Sequence, residues 1–309
     1  MDVSTAAYAA VWRLGTAVPV GVAAAVARAA VRLKLKSSSE ASQLRRNLMR
    51  VVGAENVDAA LVERSLLSYA RYWIEAFRLP ALVGDAAAKQ DLLRRLDAAV
   101  VGREHLDASV ASGRGVVLVL THSGNWDMAG VWLVDHVGGF TTVAERLKPE
   151  SLFRLFVDYR QSLGFEVLPL SGGPRPFPVL RERLAQGKVV CLLGERDFKG
   201  TGIGVDLLGE PTTLAAGPIA LALQTRAALH VVDCHFTGEL GAEGGWGFDI
   251  SAPVDLDGGA AAVGQRVADL MGRNLRAHPE DWHALQPVWL ADRPERAARR
   301  PGGSARGRA

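Results

Sequence analysis

The chain has 309 residues and a formal net charge of only +3. That balance is mild, and no basic patch is interleaved with aromatics, so nucleic acid is not expected as a partner. Hydrophobic residues make up 49% and charged residues 22%, enough for a packed core. The two cysteines, Cys191 and Cys234, lie in apolar runs; they exclude a disulfide framework and fit a cytosolic compartment.

No charged residue appears between Leu14 and Ala27, but Arg13 and Arg28 bound the run and Pro19 interrupts it. A bilayer span needs about 20 apolar residues, so this stretch is too short. It also lacks the basic start and cleavage pattern of a signal peptide. Arg28, Arg32, Lys34, Lys36, Arg45, Arg46 and Arg50 follow, and through residue 50 only Asp2 and Glu40 oppose the positive charge. Two readings stand. The segment lies on an anionic membrane, apolar face in and cations at the headgroups, or it packs on the domain with a solvated basic flank.

Residues 43–52 and 57–79 read as helices. The second carries Leu61, Leu66, Tyr69, Trp73, Ile74 and Phe77 at helical spacing, and Pro80 is predicted to close it. From residue 100 the rhythm changes. Strands are predicted at 115–121, 140–143, 165–168, 188–193, 229–236 and 248–250. Helices at 126–136, 150–163, 177–186, 215–226 and 260–278 alternate with them. The alternation predicts an α/β fold: a central, mainly parallel β-sheet flanked by helices, with the N-terminal helical segment packed on it or on the membrane surface. The boundaries read as 1–36 for an apolar and basic membrane-contact region, 37–290 for one main domain and 291–309 for a basic disordered tail.

The first candidate site is the run Leu118-Val119-Leu120-Thr121-His122-Ser123-Gly124-Asn125-Trp126-Asp127. A buried strand ends at Thr121 and a helix starts near Trp126, and catalytic groups favour such strand ends. The Ser-Gly-Asn turn lets the chain fold back, so that Asp127 can accept a bond from one imidazole nitrogen of His122. That fixes the tautomer and leaves the other nitrogen as a base. Asn125 suits an N-cap. The plainer alternatives are a core histidine bonded to backbone and a carboxylate that complements the helix dipole. No His-Glu-x-x-His or Cys-x-x-Cys spacing supports zinc at this site. No Gly-x-Ser-x-Gly elbow surrounds Ser123, so the histidine is expected to deprotonate an acceptor directly, without an acyl-enzyme.

In the second site, Val189-Val190-Cys191-Leu192-Leu193-Gly194-Glu195-Arg196-Asp197, an apolar strand ends in charged residues. Strand alternation sends Glu195 and Asp197 to one side. A carboxylate there could hold acceptor hydroxyls or tune His122, and an ordinary surface turn is the alternative. The following Gly200-Thr201-Gly202-Ile203-Gly204 is not a nucleotide fingerprint. It reads equally as a channel-lining loop or a plain hairpin loop. Glu145-Arg146-Leu147-Lys148 could meet an anionic group through guanidinium contacts, or form a solvated turn. Gln224 is a long polar side chain in the apolar stretch 214–225, and it needs a partner, a ligand or solvent.

Together these strings resemble the lysophospholipid acyltransferase superfamily, whose signature is His-x4-Asp. The similarity is greater to its bacterial branch of lipid A lauroyltransferases and actinobacterial phosphatidylinositol mannoside acyltransferases. Thr121-His-Ser-Gly-Asn-Trp-Asp127, Val143-Ala-Glu-Arg-Leu-Lys-Pro-Glu150, Gly194-Glu-Arg-Asp197 and His278-Pro-Glu-Asp-Trp-His283 carry the resemblance to the latter. It covers roughly residues 40–290. The resemblance implies transfer of a long-chain acyl group, typically palmitoyl, from acyl-CoA to the 6-hydroxyl of a mannose on phosphatidylinositol mannoside. It implies a peripheral protein on the cytosolic face of the plasma membrane, with an anionic membrane surface as a partner, no metal and no cofactor beyond the acyl-CoA donor. A monomer is expected. His122 would be the base, Asp127 its orienter and Glu195 a second catalytic carboxylate. Arg160 and Thr201 match positions that meet the acyl-CoA. Gln224 stands at a substrate-contacting position, and Glu145, Arg146 and His283 are candidates for the acceptor or for local support. Another glycolipid or a lysophospholipid as acceptor, or a non-catalytic lipid-binding protein on the same scaffold, are the competing readings.

Overall fold

The structure, a computed structural model, describes residues 18–34, 39–146, 148–197, 200–239 and 244–293. In chain order the described elements begin with four helices, α1 (Val20–Lys34), α2 (Ser39–Val52), α3 (Ala59–Gly84) and α4 (Ala86–Ala98). Then come β1 (Val100–Val101), α5 (Arg103–Ala111), β2 (Val116–Leu120), α6 (Trp126–Val137), β3 (Phe140–Ala144), α7 (Glu150–Ser162), β4 (Glu166–Pro169), α8 (Pro176–Ala185) and β5 (Val189–Leu193). A hairpin of β6 (Ile203–Leu207) and β7 (Glu210–Leu214) precedes α9 (Ala216–Thr225), β8 (Ala228–Thr237), β9 (Gly245–Ile250) and α10 (Gly259–Ala277).

β2 shows why the sheet forms where it does. All five of its residues are apolar and buried, the mark of a strand covered on both faces. Val117 and Val119 pack into one core with α8, α9 and α10. Val116, Leu118 and Leu120 pack into another with α3, α4 and α6. The pleat thus splits one strand between two layers. The seven-stranded sheet has the order β1-β9-β8-β2-β5-β3-β4. Every pair is parallel except β8 with β9. The expected α/β class and mainly parallel sheet are those of the structure, and β2 lies directly between β5 and β8.

Pro80 does not close its helix. α3 runs on to Gly84, with Pro80 inside it. A proline removes one helical hydrogen bond, but Leu79 is fully buried and Val83 packs on the same core, so burial carries the helix past it. Asp58 caps the start of α3, accepting from Leu61 N at 2.7 Å, and Asp85 caps α4. The glycine-rich segment 200–204 leads into the first strand of the β6–β7 hairpin. The hairpin turn places Leu208 and Gly209 at φ 59° and 91°, the left-handed pair that a tight hairpin requires. Both cysteines are free, and burial pushes the Cys191 thiol up to about 12.

α1 has two unlike faces. Ala24 and Val31 are buried, Arg32 pairs with Glu63 of α3 at 3.1 Å, and Arg78 donates to the carbonyl of Val18. Val22, Val26, Ala29 and Leu33 form an exposed apolar stripe at helical spacing. Val26 is 64% exposed and Leu33 71%. Among the described residues no helix is long and apolar enough to cross a membrane. Residues 1–17 and 35–36 of the expected membrane-contact region, and 294–309 of the expected tail, lie outside the described residues. Asp292 is tied back to α2 by Arg50 and Gln43, each at 2.9 Å.

Candidate active site

β2 delivers His122 into a loop that cannot relax. Gly124 sits at φ 54°, and a Cβ there would fall 2.5 Å from the Cys234 carbonyl group; only glycine fits. Asn125 accepts from Met128 N at 3.0 Å and so caps α6, while its amide donates to Glu75 at 2.7 Å. Glu75 is itself held by Arg71 and by the indole of Trp246. The loop is also pinned from the C-terminal side. Gly124 N donates to the Asp281 carbonyl at 2.9 Å, and His283 N donates to the His122 carbonyl at 2.8 Å.

The imidazole of His122 meets Glu195, not Asp127. Nδ1 lies 2.5 Å from Glu195 Oε1, and His122 N donates to the same oxygen at 3.1 Å. Glu195 follows β5, the neighbour of β2, and Gly194 N bonds to the Leu120 carbonyl at 2.8 Å. The two strand ends therefore arrive together. Glu195 is 1% exposed. Burial pushes its carboxyl up, but the His122 ring and backbone N–H more than offset this and hold it below the usual value. An ionised carboxylate on Nδ1 fixes that nitrogen as the donor and leaves Nε2 as a base.

Asp127 corrects the sequence reading. It lies in the first turn of α6, and its side chain reaches across to α3 and α7 rather than back to His122. Oδ1 accepts from Arg160 Nε at 2.9 Å, and Oδ2 accepts from Tyr72 OH at 3.0 Å. Its two oxygens are committed to a buried cluster. Burial works against the charge on Arg160, but Asp127, Tyr72 and Tyr159 more than offset it and raise the guanidinium above its usual value.

Two cavities of about 690 and 430 Å³ meet at His122, within the range of small-molecule sites. They share His122, Val143, Glu145, Leu193 and Arg196 as lining. The larger is lined also by Phe177, Leu180, Arg175, Asp197 and Thr201. The smaller is aromatic, with Trp73, Phe153, Phe156 and Phe165. Glu145 is exposed at the junction. Asp197 accepts from the backbone N–H groups of Gly200 and Gly202 at 2.7 and 2.9 Å, so it shapes the Thr201 loop. Arg160 lines the aromatic cavity while holding Asp127. Arg146 lines neither. It chelates Glu150 and donates to the carbonyls of Ser171 and Gly172, so it braces a cavity wall. Gln224 is a second correction: it is exposed at the end of α9 and lines neither cavity. The solvent alternative for this residue is what the structure shows.

His283 lies in the aromatic cavity wall, 5.2 Å from the Tyr69 ring centroid. Ser68 donates to Asp281 at 2.6 Å, so its oxygen accepts from His283 Nε2 at 3.0 Å. Burial, then nearby His122, lowers the His283 imidazole from 6.5 to about 3. The unfolded chain thus takes a proton near pH 6.5 that the folded chain refuses until about pH 3. Stability is full above pH 6.5 and falls as pH drops through that window. His283→Gln should lose about 1.4 kcal/mol less than the wild type between pH 7.5 and 5.5. Urea unfolding at both pH values checks this; equal losses would contradict the buried neutral ring. Glu75, Ser68, Tyr72 and Asp281 escaped the sequence reading. The signal for the first was present, since Arg71 and Glu75 interrupt the apolar face of α3 four residues apart.

The chain matches the model of the bacterial lipid A biosynthesis acyltransferases over residues 3–291. A protein of Mycolicibacterium smegmatis named phosphatidylinositol mannoside acyltransferase is 50% identical over 295 residues, which cover 94% of this chain and 93% of that one. One of the same name from Mycobacterium tuberculosis is 54% identical over 254 residues, 81% of this chain and 77% of its own. The chain belongs to the bacterial lipid A biosynthesis acyltransferase family.

Proposed function

We propose that this chain moves a long-chain acyl group, palmitoyl in the first instance, from acyl-CoA to the 6-hydroxyl of a mannose on phosphatidylinositol mannoside. One observation carries the reading: an imidazole held at Nδ1 by a buried carboxylate stands where two cavities meet. The names of the mycobacterial relatives support the acceptor. His122 Nε2 takes the hydroxyl proton as the oxygen attacks the thioester carbon. The tetrahedral intermediate collapses, the carbon–sulfur bond breaks, and the imidazolium returns the proton to the leaving thiolate. Glu195 stabilises that imidazolium. The aromatic cavity suits the acyl chain. The larger one, with Arg175, Arg196 and Thr201, suits phosphate and sugar groups.

The test is product analysis by tandem mass spectrometry. Purified protein with palmitoyl-CoA should add one palmitoyl to a mannose of phosphatidylinositol mannoside and leave lysophosphatidic acid untouched. Acylation of the lysolipid alone would move the acceptor, and tight lipid binding with no turnover would make the chain a carrier.

The reaction takes place at the cytosolic face of the plasma membrane. The exposed apolar stripe of α1 supports contact with a membrane surface. Removing residues 1–36 should weaken binding to anionic vesicles at least fivefold, and raised salt should weaken binding of the full chain. Sedimentation with vesicles reads both. If neither changes binding, the segment is only structural.

A further inference from the structure

We propose a zinc site at Asp233, His235, Asp249 and His278, outside both cavities, that ties the β8–β9 strand pair to the segment pinning the His122 loop. Asp233 and His235 project from the same face of β8, two residues apart. Asp249 of β9 is the direct cross-strand partner of Asp233. His278 caps the C-terminal end of α10, which packs over that face. The row that begins with buried Leu229 and Val231 thus turns from apolar to ligating at its end.

Two observations point to a cation. Like charges directly opposite in a sheet repel, yet Asp233 and Asp249 are paired there, with Asp233 only 2% exposed. Asp233 Oδ2 and His235 Nδ1 are buried and face each other at 3.4 Å without a well-aligned hydrogen bond to each other or to any other described residue. A tetrahedral ion with bonds of about 2.0–2.1 Å spaces its ligand atoms about 3.4 Å apart. His235 Nδ1 lies 3.4 Å from Asp233 Oδ2 and 3.9 Å from Asp249 Oδ2, and His278 Nε2 lies 3.9 Å from Asp233 Oδ2. The four ligand atoms all fall within 4.8 Å of one another. Binding would require the two imidazoles, stacked at 3.7 Å, to tilt so that both ring planes meet the ion. Gly247, opposite His235, makes room for the ring: a Cβ there would meet Nε2 at 2.0 Å. Two imidazoles and two carboxylates suit zinc, whereas magnesium and calcium favour oxygen alone.

His278 opens the segment that ends at His283. Along it, Asp281 accepts from Phe236 N and Ser68, and His283 donates to the His122 carbonyl. Zinc would fix the near end of this brace without touching substrate.

The test uses the full chain, stripped by a chelator and titrated with Zn²⁺ against a chromophoric competitor, with Co²⁺ as a spectroscopic probe. The expected result is one equivalent bound and the d–d absorption of a tetrahedral centre. His278→Ala and Asp249→Asn alter partly exposed ligands and should fold. Each should weaken binding at least tenfold, while His136→Ala, at a surface pair with Asp107, should not. No stoichiometric binding would leave a His–Asp ion pair and overturn the proposal. So would binding that neither ligand variant changes. Neither outcome alters the product assay, so failure here is distinguishable from failure of the acyl-transfer reading.

Discussion

His122→Ala is expected to slow acyl transfer by about 10²–10⁴-fold, the usual range for loss of a general base. The fold should survive. The side chain is 21% exposed, and the loop is held through backbone groups, by His283 N on the His122 carbonyl and by Asp281 on Gly124. Glu195 would lose the ring that keeps its carboxyl low, and burial would then favour its neutral form. It takes up a proton rather than remaining as an unpaired buried charge, which limits the cost to folding. Substrate binding should change little, because the cavities are lined mostly by other residues. Initial rates with palmitoyl-CoA, together with a thermal melt, read both effects. Activity within tenfold of the wild type would remove His122 from the chemistry.

Asp127→Asn should act chiefly on stability. It leaves the Arg160 guanidinium buried against α3 and α6 without its anion, and breaking such a pair costs about 3–5 kcal/mol. Tyr72 and Tyr159, whose hydroxyl groups burial and then Asp127 push well above their usual values, would lose that neighbouring charge as well. Replacing the pair together, Asp127→Leu with Arg160→Met, removes both charges and should recover most of the loss. Urea unfolding of the single and double variants reads this. A single variant with nearly full stability but a rate as low as that of His122→Ala would instead make Asp127 the carboxylate that orients the base.

That contrast marks where the sequence was legible. β2 and β5 could be placed because strands covered on both faces are written as unbroken apolar runs. Helix α9 was predicted within one residue at either end, from a largely apolar stretch. α5 was not, because only Leu106 and Ser109 of it are buried and so little apolar periodicity exists to detect. The β6–β7 hairpin was hidden by Gly204 and Pro211, both poor strand residues. His122 and Glu195 stood out because each follows an apolar strand. Their pairing did not, since it depends on β5 lying beside β2 in the sheet, and strand order is not written in local spacing. Asp127, five residues from His122, was the natural local partner, but Arg160 and Tyr72 lie nearer once α3 and α7 fold against α6.

The most direct measurement is the transfer rate of the double variant His122→Ala/Glu195→Gln beside the two single variants, at a temperature where all remain folded. If Glu195 works only by holding and charging the His122 ring, removing both should be no slower than removing His122 alone, within about threefold. Losses that multiply across the two positions would contradict a single His122–Glu195 unit.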